Sequence, residues 1–141
     1  MQVLIVDDDQ GIRETMGLIL REEGYDPYEA ADGAEALEKM QGMAGPLVVL
    51  LDMWMPVMDG ETTLLAAFAH DALWSRTCFI VVTANPQMIS PPVRELIALH
   101  QIPLLVKPFD IDALVEMVHQ RAQQFGGVPV VQRARRSGSL G

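Results

Sequence analysis

Short apolar runs alternate with helical periodicity from the N-terminus to about residue 122, which predicts a strand and then a helix, five times over. Val3-Leu4-Ile5-Val6 is apolar throughout, as a strand buried on both faces must be. Ile12, Met16, Ile19 and Leu20 follow at i, i+4, i+7 and i+8, one face of a helix that Gly24 is suited to end. A weaker strand around Tyr28 to Ala30 leads to Asp32, which can cap a helix that Glu35 reaches back to, with Leu37 and Met40 facing inward. Gly45-Pro46 breaks that helix, and Leu47 to Leu51 is a third, fully apolar strand ending at Asp52.

After a loop with Pro56 and Asp59-Gly60, a helix carries Leu64, Leu65 and Phe68, and Phe79 to Val82 forms a fourth strand ending at Thr83. Pro86, Pro91 and Pro92 delay the next helix to about Val93, because proline suits a first turn but not an interior; Val93, Leu96 and Ile97 make its core face. Ile102 to Val106 is the fifth strand, stopped by Lys107-Pro108. The last helix starts near Asp110 and presents Ile111, Leu114, Val115 and Val118 to the core. Alternation of this kind implies an α/β fold with a parallel sheet covered on both faces.

At 141 residues and 15.5 kDa the chain has the size of one domain. The division expected is a compact unit over residues 1–125 and a flexible, basic tail over 126–141, where periodicity gives way to Gly, Ser and Arg. No apolar run approaches the roughly 20 residues of a membrane span, and the start shows neither a basic stretch nor a cleavage site, so a cytoplasmic protein is expected. Cys78, the single cysteine, cannot pair within the chain and reads as core. The net charge is −9, and every acid lies at or before Glu116. A body this acidic repels phosphate backbones, which argues against nucleic acid as a partner. Arg133, Arg135 and Arg136 form too small a patch to reverse that or to hold a membrane.

Ligands of open parallel sheets bind at the carboxyl ends of the strands. There the chain places Asp7 and Asp8 after strand one, Asp52 after strand three, Thr83 after strand four and Lys107 after strand five. Asp7-Asp8-Asp9 alone reads as a solvated charge run or a helix cap, and Lys107-Pro108 alone as a strand terminator; the set points to chemistry. Two carboxylates about 4 Å apart repel by roughly 4 kcal/mol at an effective dielectric near 20. A hard divalent cation such as Mg²⁺ compensates such a cluster and leaves positions open to phosphate oxygens. With a phosphoryl group present, the parts are a carboxylate nucleophile, a metal, a lysine and a hydroxyl donor.

Val6-Asp7-Asp8-Asp9, Leu51-Asp52-Met53-Trp54-Met55-Pro56 with Asp59-Gly60, Val82-Thr83-Ala84 and Val106-Lys107-Pro108-Phe109 resemble the receiver domain of two-component response regulators over residues 2 to about 122. The resemblance implies a flavodoxin-like (βα)5 three-layer sandwich with strand order 2-1-3-4-5. It implies Asp52 as phosphoacceptor from a histidine kinase or histidine phosphotransfer protein. It also implies Asp8 as direct Mg²⁺ ligand beside Asp52, Asp7 acting through a metal-bound water, and the Trp54 carbonyl completing the set. Thr83 would bond the phosphoryl group, Lys107 would pair with its oxygen, and Pro108 would follow in a cis peptide. The function implied is a phosphorylation-controlled switch of protein contacts with no effector domain in this chain. It is not a metabolic enzyme, beyond self-phosphorylation from phosphodonors and autodephosphorylation. Its downstream protein is unknown, and a phosphorylation-dependent homodimer is among the outputs left open.

Departures from the family pattern mark where signal transmission would be unusual. Leu104 stands where many receivers carry an aromatic, Trp54 is large enough to shield an acyl phosphate, Asn85 follows Thr83 closely, and Pro91-Pro92 redirects a helix start. A haloacid-dehalogenase-type phosphatase would need a second Asp where Trp54 stands, and nucleotide hydrolysis would need a Gly-rich phosphate loop. A receiver that no longer accepts phosphate is disfavoured by the full residue set. Met53, Met55 and Met58 lack cysteine or histidine company and read as loop and core packing. His70, His100 and His119 are too scattered for zinc and read as surface or helix-end residues.

Overall fold

The computed structural model describes residues 1–124; the tail expected from Gly126 and its three arginines lie outside the described residues. Strands β1 (Gln2–Val6), β2 (Asp26–Ala30), β3 (Leu47–Asp52), β4 (Thr77–Thr83) and β5 (Leu104–Val106) alternate with helices α1 (Gln10–Glu22), α2 (Gly33–Gly42), α3 (Gly60–Phe68), α4 (Asp71–Ser75), α5 (Pro91–Leu99) and α6 (Ile111–Gln123). All strand pairs are parallel and the order is β2-β1-β3-β4-β5, so the expected topology is present. Among the described residues no helix is long and apolar enough to cross a membrane.

Because side chains alternate across a strand, the apolar runs feed two cores. Leu4, Val6, Val49, Leu51, Phe79 and Val81 meet Ala36, Met40, Leu64, Ala67, Val93 and Leu96 on one face. Val3, Ile5, Leu50, Ile80 and Val82 meet Met16, Leu20, Leu114, Val118 and Ala122 on the other. Helices α2, α3 and α5 therefore cover one face, and α1 and α6 the other. Caps set the helix starts: Asp9, Asp32 and Asp59 each accept the backbone N–H three residues on, so Asp9 is a cap as its neighbours suggested. Gly24, with φ of 94°, ends α1 by a left-handed turn that lets Tyr25 N donate to the Leu20 carbonyl at 3.0 Å.

Several expectations need correction. The fifth strand is three residues long, and Leu104 and Val106 are exposed while Leu105 is buried, because an edge strand with one neighbour alternates in burial instead of being covered on both faces. Helix α4 lies in what reads as a loop; it is too short to show a period and is capped by His70, whose Nδ1 accepts from Leu73 N. Phe68 is half-exposed and packs edge-on against Trp74 and His100 beside α4. Ile111 is exposed at the first turn of α6, and Leu114 and Val118 carry the contact predicted for it. His119 is buried rather than superficial: Tyr25 Oη hydrogen-bonds its Nδ1, and its Nε2 lies 3.3 Å from Glu23 Oε1. Helix α5 starts at Pro91, with both prolines inside its first turn.

One glycine fixes the position of α3 against β3. A Cβ at Gly60 would sit 2.2 Å from the Asp52 carbonyl oxygen and 2.6 Å from Met53 Cα, both backbone atoms, whereas one at Gly42 would meet nothing within 4 Å. Gly60→Ala should therefore cost about 2 kcal/mol or more in urea unfolding, while Gly42→Ala stays within about 0.5 kcal/mol of the parent or above it.

Candidate functional site at the carboxyl edge of the sheet

The strand ends bring together the residues that the pattern placed there. Asp7 follows β1, 2% exposed, Asp52 ends β3, 5% exposed, and Thr83 ends β4 fully buried, whereas Asp8 is exposed. Ligating oxygens of Asp7, Asp8 and Asp52 lie within 4.8 Å of one another. Lys107, just past β5, reaches back so that Nζ lies 2.8 Å from Asp7 Oδ2 and 3.5 Å from Asp52 Oδ2. Its backbone N–H donates to the Thr83 carbonyl at 2.9 Å, and the peptide to Pro108 is cis, as expected.

Two of the three carboxylates thus share one ammonium, which sits closer to Asp7 than to Asp52. Burial pushes the Asp52 carboxyl above its ordinary value; Lys107 opposes this, the Asp7 charge adds to it, and the bond from Trp54 N does not cancel it. For Lys107, burial works against the charge, but the hydrogen bond to Asp7 and the charges of both carboxylates outweigh it, so its pKa is raised. The donors are all hard oxygens around a net negative centre, which is the set a small divalent cation takes.

Residues that sequence reasoning passed over complete the frame. Arg13 on α1 donates from Nη1 to the Asp7 carbonyl at 2.7 Å and from Nε to Glu29 at 3.0 Å, anchoring the chain beside the acids. Its signal was a basic residue one helical turn after a cap, which is too common to single out. Asn85 N donates to Thr83 Oγ1 at 3.2 Å. Val57, at φ of 69°, is the centre of a tight turn closed by Met58 N and the Pro56 carbonyl at 2.8 Å, a strained conformation for a β-branched residue next to the site. Met53 is fully buried and Met55 and Met58 partly so, consistent with packing roles. A groove of about 730 Å³ adjoins the site, with Ile12, Met16, Pro108, Phe109 and Ile111 in its walls, which is where the exposed Ile111 side chain lies.

Because the fold disfavours the charged form of Asp52, removing that charge should help the cation-free protein. Asp52→Asn should melt a few degrees above the parent in chelator at neutral pH, and Lys107→Met below it, since the ammonium's loss leaves the acids uncompensated. A raised folded pKa means the penalty exists above it and vanishes when the carboxyl is protonated in both states. The gap between parent and Asp52→Asn should therefore narrow as pH falls through the carboxylate range in a calorimetric series.

The chain matches the family model described as the response regulator receiver domain over residues 3–119. It is 34% identical over 117 residues to sporulation initiation phosphotransferase F of Bacillus subtilis, covering 83% of this chain and 90% of that one. It is 30% identical over 119 residues to chemotaxis protein CheY of Treponema pallidum, covering 83% and 79%. Among solved structures, a CheY-like receiver domain protein of Methanospirillum hungatei superposes with a TM-score of 0.70 at 27% identity, covering 89% of this chain and 94% of that one. With the family model, the relatives and the strand order in agreement, the chain belongs to the response regulator receiver domain family, the phospho-accepting switches of two-component systems.

Proposed function

We propose that Asp52 is the phosphoacceptor of this receiver. The observation that carries the reading is a buried carboxylate at a strand end with Asp7 and Asp8 within 4.8 Å and one lysine shared between Asp7 and Asp52. A carboxylate oxygen of Asp52 attacks phosphorus, the bond from phosphorus to the donor's leaving group breaks, and the leaving group departs with that electron pair. Lys107 pairs with a phosphoryl oxygen, and the Thr83 hydroxyl donates to another. Asp8 and Asp52 would hold Mg²⁺ directly, Asp7 through water, and the Trp54 carbonyl would complete the protein's share. When bound, that ion supplies positive charge against the transferring oxygens and relieves the crowding of the acids. Small phosphodonors serve as well as a histidine, and water returns the acceptor to its free form.

The natural donor is a phosphohistidine on a kinase or phosphotransfer protein, and the apolar groove that adjoins Lys107 between α1 and the start of α6 suits such a partner beside the acceptor. On the other side, Leu99, Leu104 and Val106 are exposed on α5 and β5, a surface for a phosphorylation-dependent protein contact, including a second copy. Residues 1–125 make the receiver unit, working in the cytoplasm; its acidity argues against binding DNA.

Intact mass after incubation with acetyl phosphate should show one phosphoryl adduct with Mg²⁺ and none with chelator. Asp52→Asn should abolish it, and labelling that persists in this variant sinks the assignment. Asp8→Asn should weaken Mg²⁺ binding, followed by tryptophan fluorescence, by about tenfold or more, because an anionic ligand is lost. Lys107→Ala and Thr83→Ala should still take some phosphoryl group while showing a diminished change in amide exchange over residues 84–106.

A further inference from the structure

The two prolines that open α5 leave its first turn short of donors. Ser90 is the N-cap, Pro91 and Pro92 follow, and the Ser90 side chain makes no capping bond. Proline carries no N–H, so the donors at this helix end reduce to those of Ser90 and of residues from Val93 onward. The Ser90 N–H is taken up from outside the helix: it donates to Glu61 Oε2 on α3 at 2.6 Å, a charge-assisted bond spanning 29 residues. The carboxylate also sits where the positive end of the α5 dipole favours it.

Glu61 is fixed with respect to Asp52. It follows Gly60, which lies against the Asp52 carbonyl and donates its N–H to the Met53 carbonyl at 2.9 Å. Asp59 caps the same turn of α3 through Thr62 N at 2.8 Å. From the same end of the β4–α5 connection, Arg94 on α5 gathers the turn over Pro86–Met88: its Nη2 lies within hydrogen-bond distance of the carbonyls of Pro86 at 3.3 Å, Gln87 at 3.2 Å and Ile89 at 3.0 Å. The segment from Thr83 to Arg94 is thus held at Thr83 Oγ1, under Arg94 and by Glu61.

We propose that Glu61 is a positioning residue: its carboxylate tethers the start of α5 to the loop that follows Asp52, so that a change at Asp52 reaches α5 through α3 as well as through Thr83. The inference rests on the reading of Asp52 as acceptor for its trigger, though not for the tether itself. It assigns this chain a second route from site to surface.

The test is residue-resolved amide exchange of the parent, Glu61→Ala and Glu61→Gln, each with and without acetyl phosphate and Mg²⁺. At rest, the Ser90 amide should exchange about tenfold faster in Glu61→Ala, the effect of losing one hydrogen bond, and Glu61→Gln should restore most of the protection through its amide oxygen. Both variants should form the Asp52 adduct as the parent does, because Glu61 touches no atom of the site. In Glu61→Ala the phosphorylation-dependent change over Val93–Leu99 should fall to half or less of the parent's, the Thr83 route carrying the remainder, while that at Thr83–Asn85 persists. A purely structural role would instead shift both states alike and leave the difference intact, which overturns the coupling. Unchanged Ser90 exchange at rest overturns the tether. A parent chain that takes no phosphoryl group overturns the acceptor reading and the coupling with it, whereas faster Ser90 exchange in resting Glu61→Ala would still establish the tether.

Discussion

Crowding of negative charge at one rim of a parallel sheet is the constraint on which the rest of this molecule depends. Asp7, Asp8 and Asp52 bring their oxygens within 4.8 Å while a single ammonium lies among them, nearer Asp7 than Asp52. At an effective dielectric near 20, like charges about 4 Å apart repel by roughly 4 kcal/mol, so the resting arrangement persists only because the strands that carry the acids are over-determined elsewhere. Both cores supply that determination. Val6 and Leu51, the residues leading into Asp7 and Asp52, are themselves buried, and Asp52 pairs with Val82 in register.

That rigidity explains why the loops around the rim carry strain and close contacts that an ordinary turn would avoid. Gly60 lies against the carbonyl of Asp52 because α3 must begin immediately beneath the acid, and a side chain there would push the helix off the sheet. Val57 adopts φ of 69° so that the same loop can turn back within the few residues available. The loops are held rather than free: the Met58 carbonyl accepts from Gly33 N at 3.0 Å, joining the loop after β3 to the start of α2. A perturbation at Asp52 therefore has few soft places in which to dissipate.

Much of this was legible in the residues, and the exceptions have physical causes. Continuous apolar runs at Val3–Val6 and Leu47–Leu51 identify strands covered on both sides, and the acid following each run marks the rim of the candidate site, because a buried carboxylate costs stability unless it is paired. Strand order could not be read from periodicity and came with the family resemblance. Helix α4 escaped notice because five residues cannot display a period, and the β5 alternation because Leu104 and Val106 are apolar yet exposed. His119 and Glu61 were illegible for a different reason. Each acts through a partner far away in sequence, Tyr25 for the one and Ser90 for the other, and a lone histidine or glutamate on a helix announces no such contact.

The shared lysine also shapes how the resting and modified states differ. In the resting chain Lys107 leans toward Asp7, so under the proposed reading a phosphoryl group on Asp52 would compete for an ammonium that has a partner 2.8 Å distant. The backbone of Lys107 is tied to β4: its N–H is bonded to the Thr83 carbonyl at 2.9 Å, and Thr83 in turn receives Asn85 N on its hydroxyl. A pull that reached this backbone would load the joint between β4 and β5, where Leu105 is the one buried residue of β5. The shortest strand pairing of the sheet lies next to Lys107, and Leu104 and Val106 are exposed on it. Sensitivity at that edge follows from the short fifth strand as directly as the acid cluster follows from the long third one.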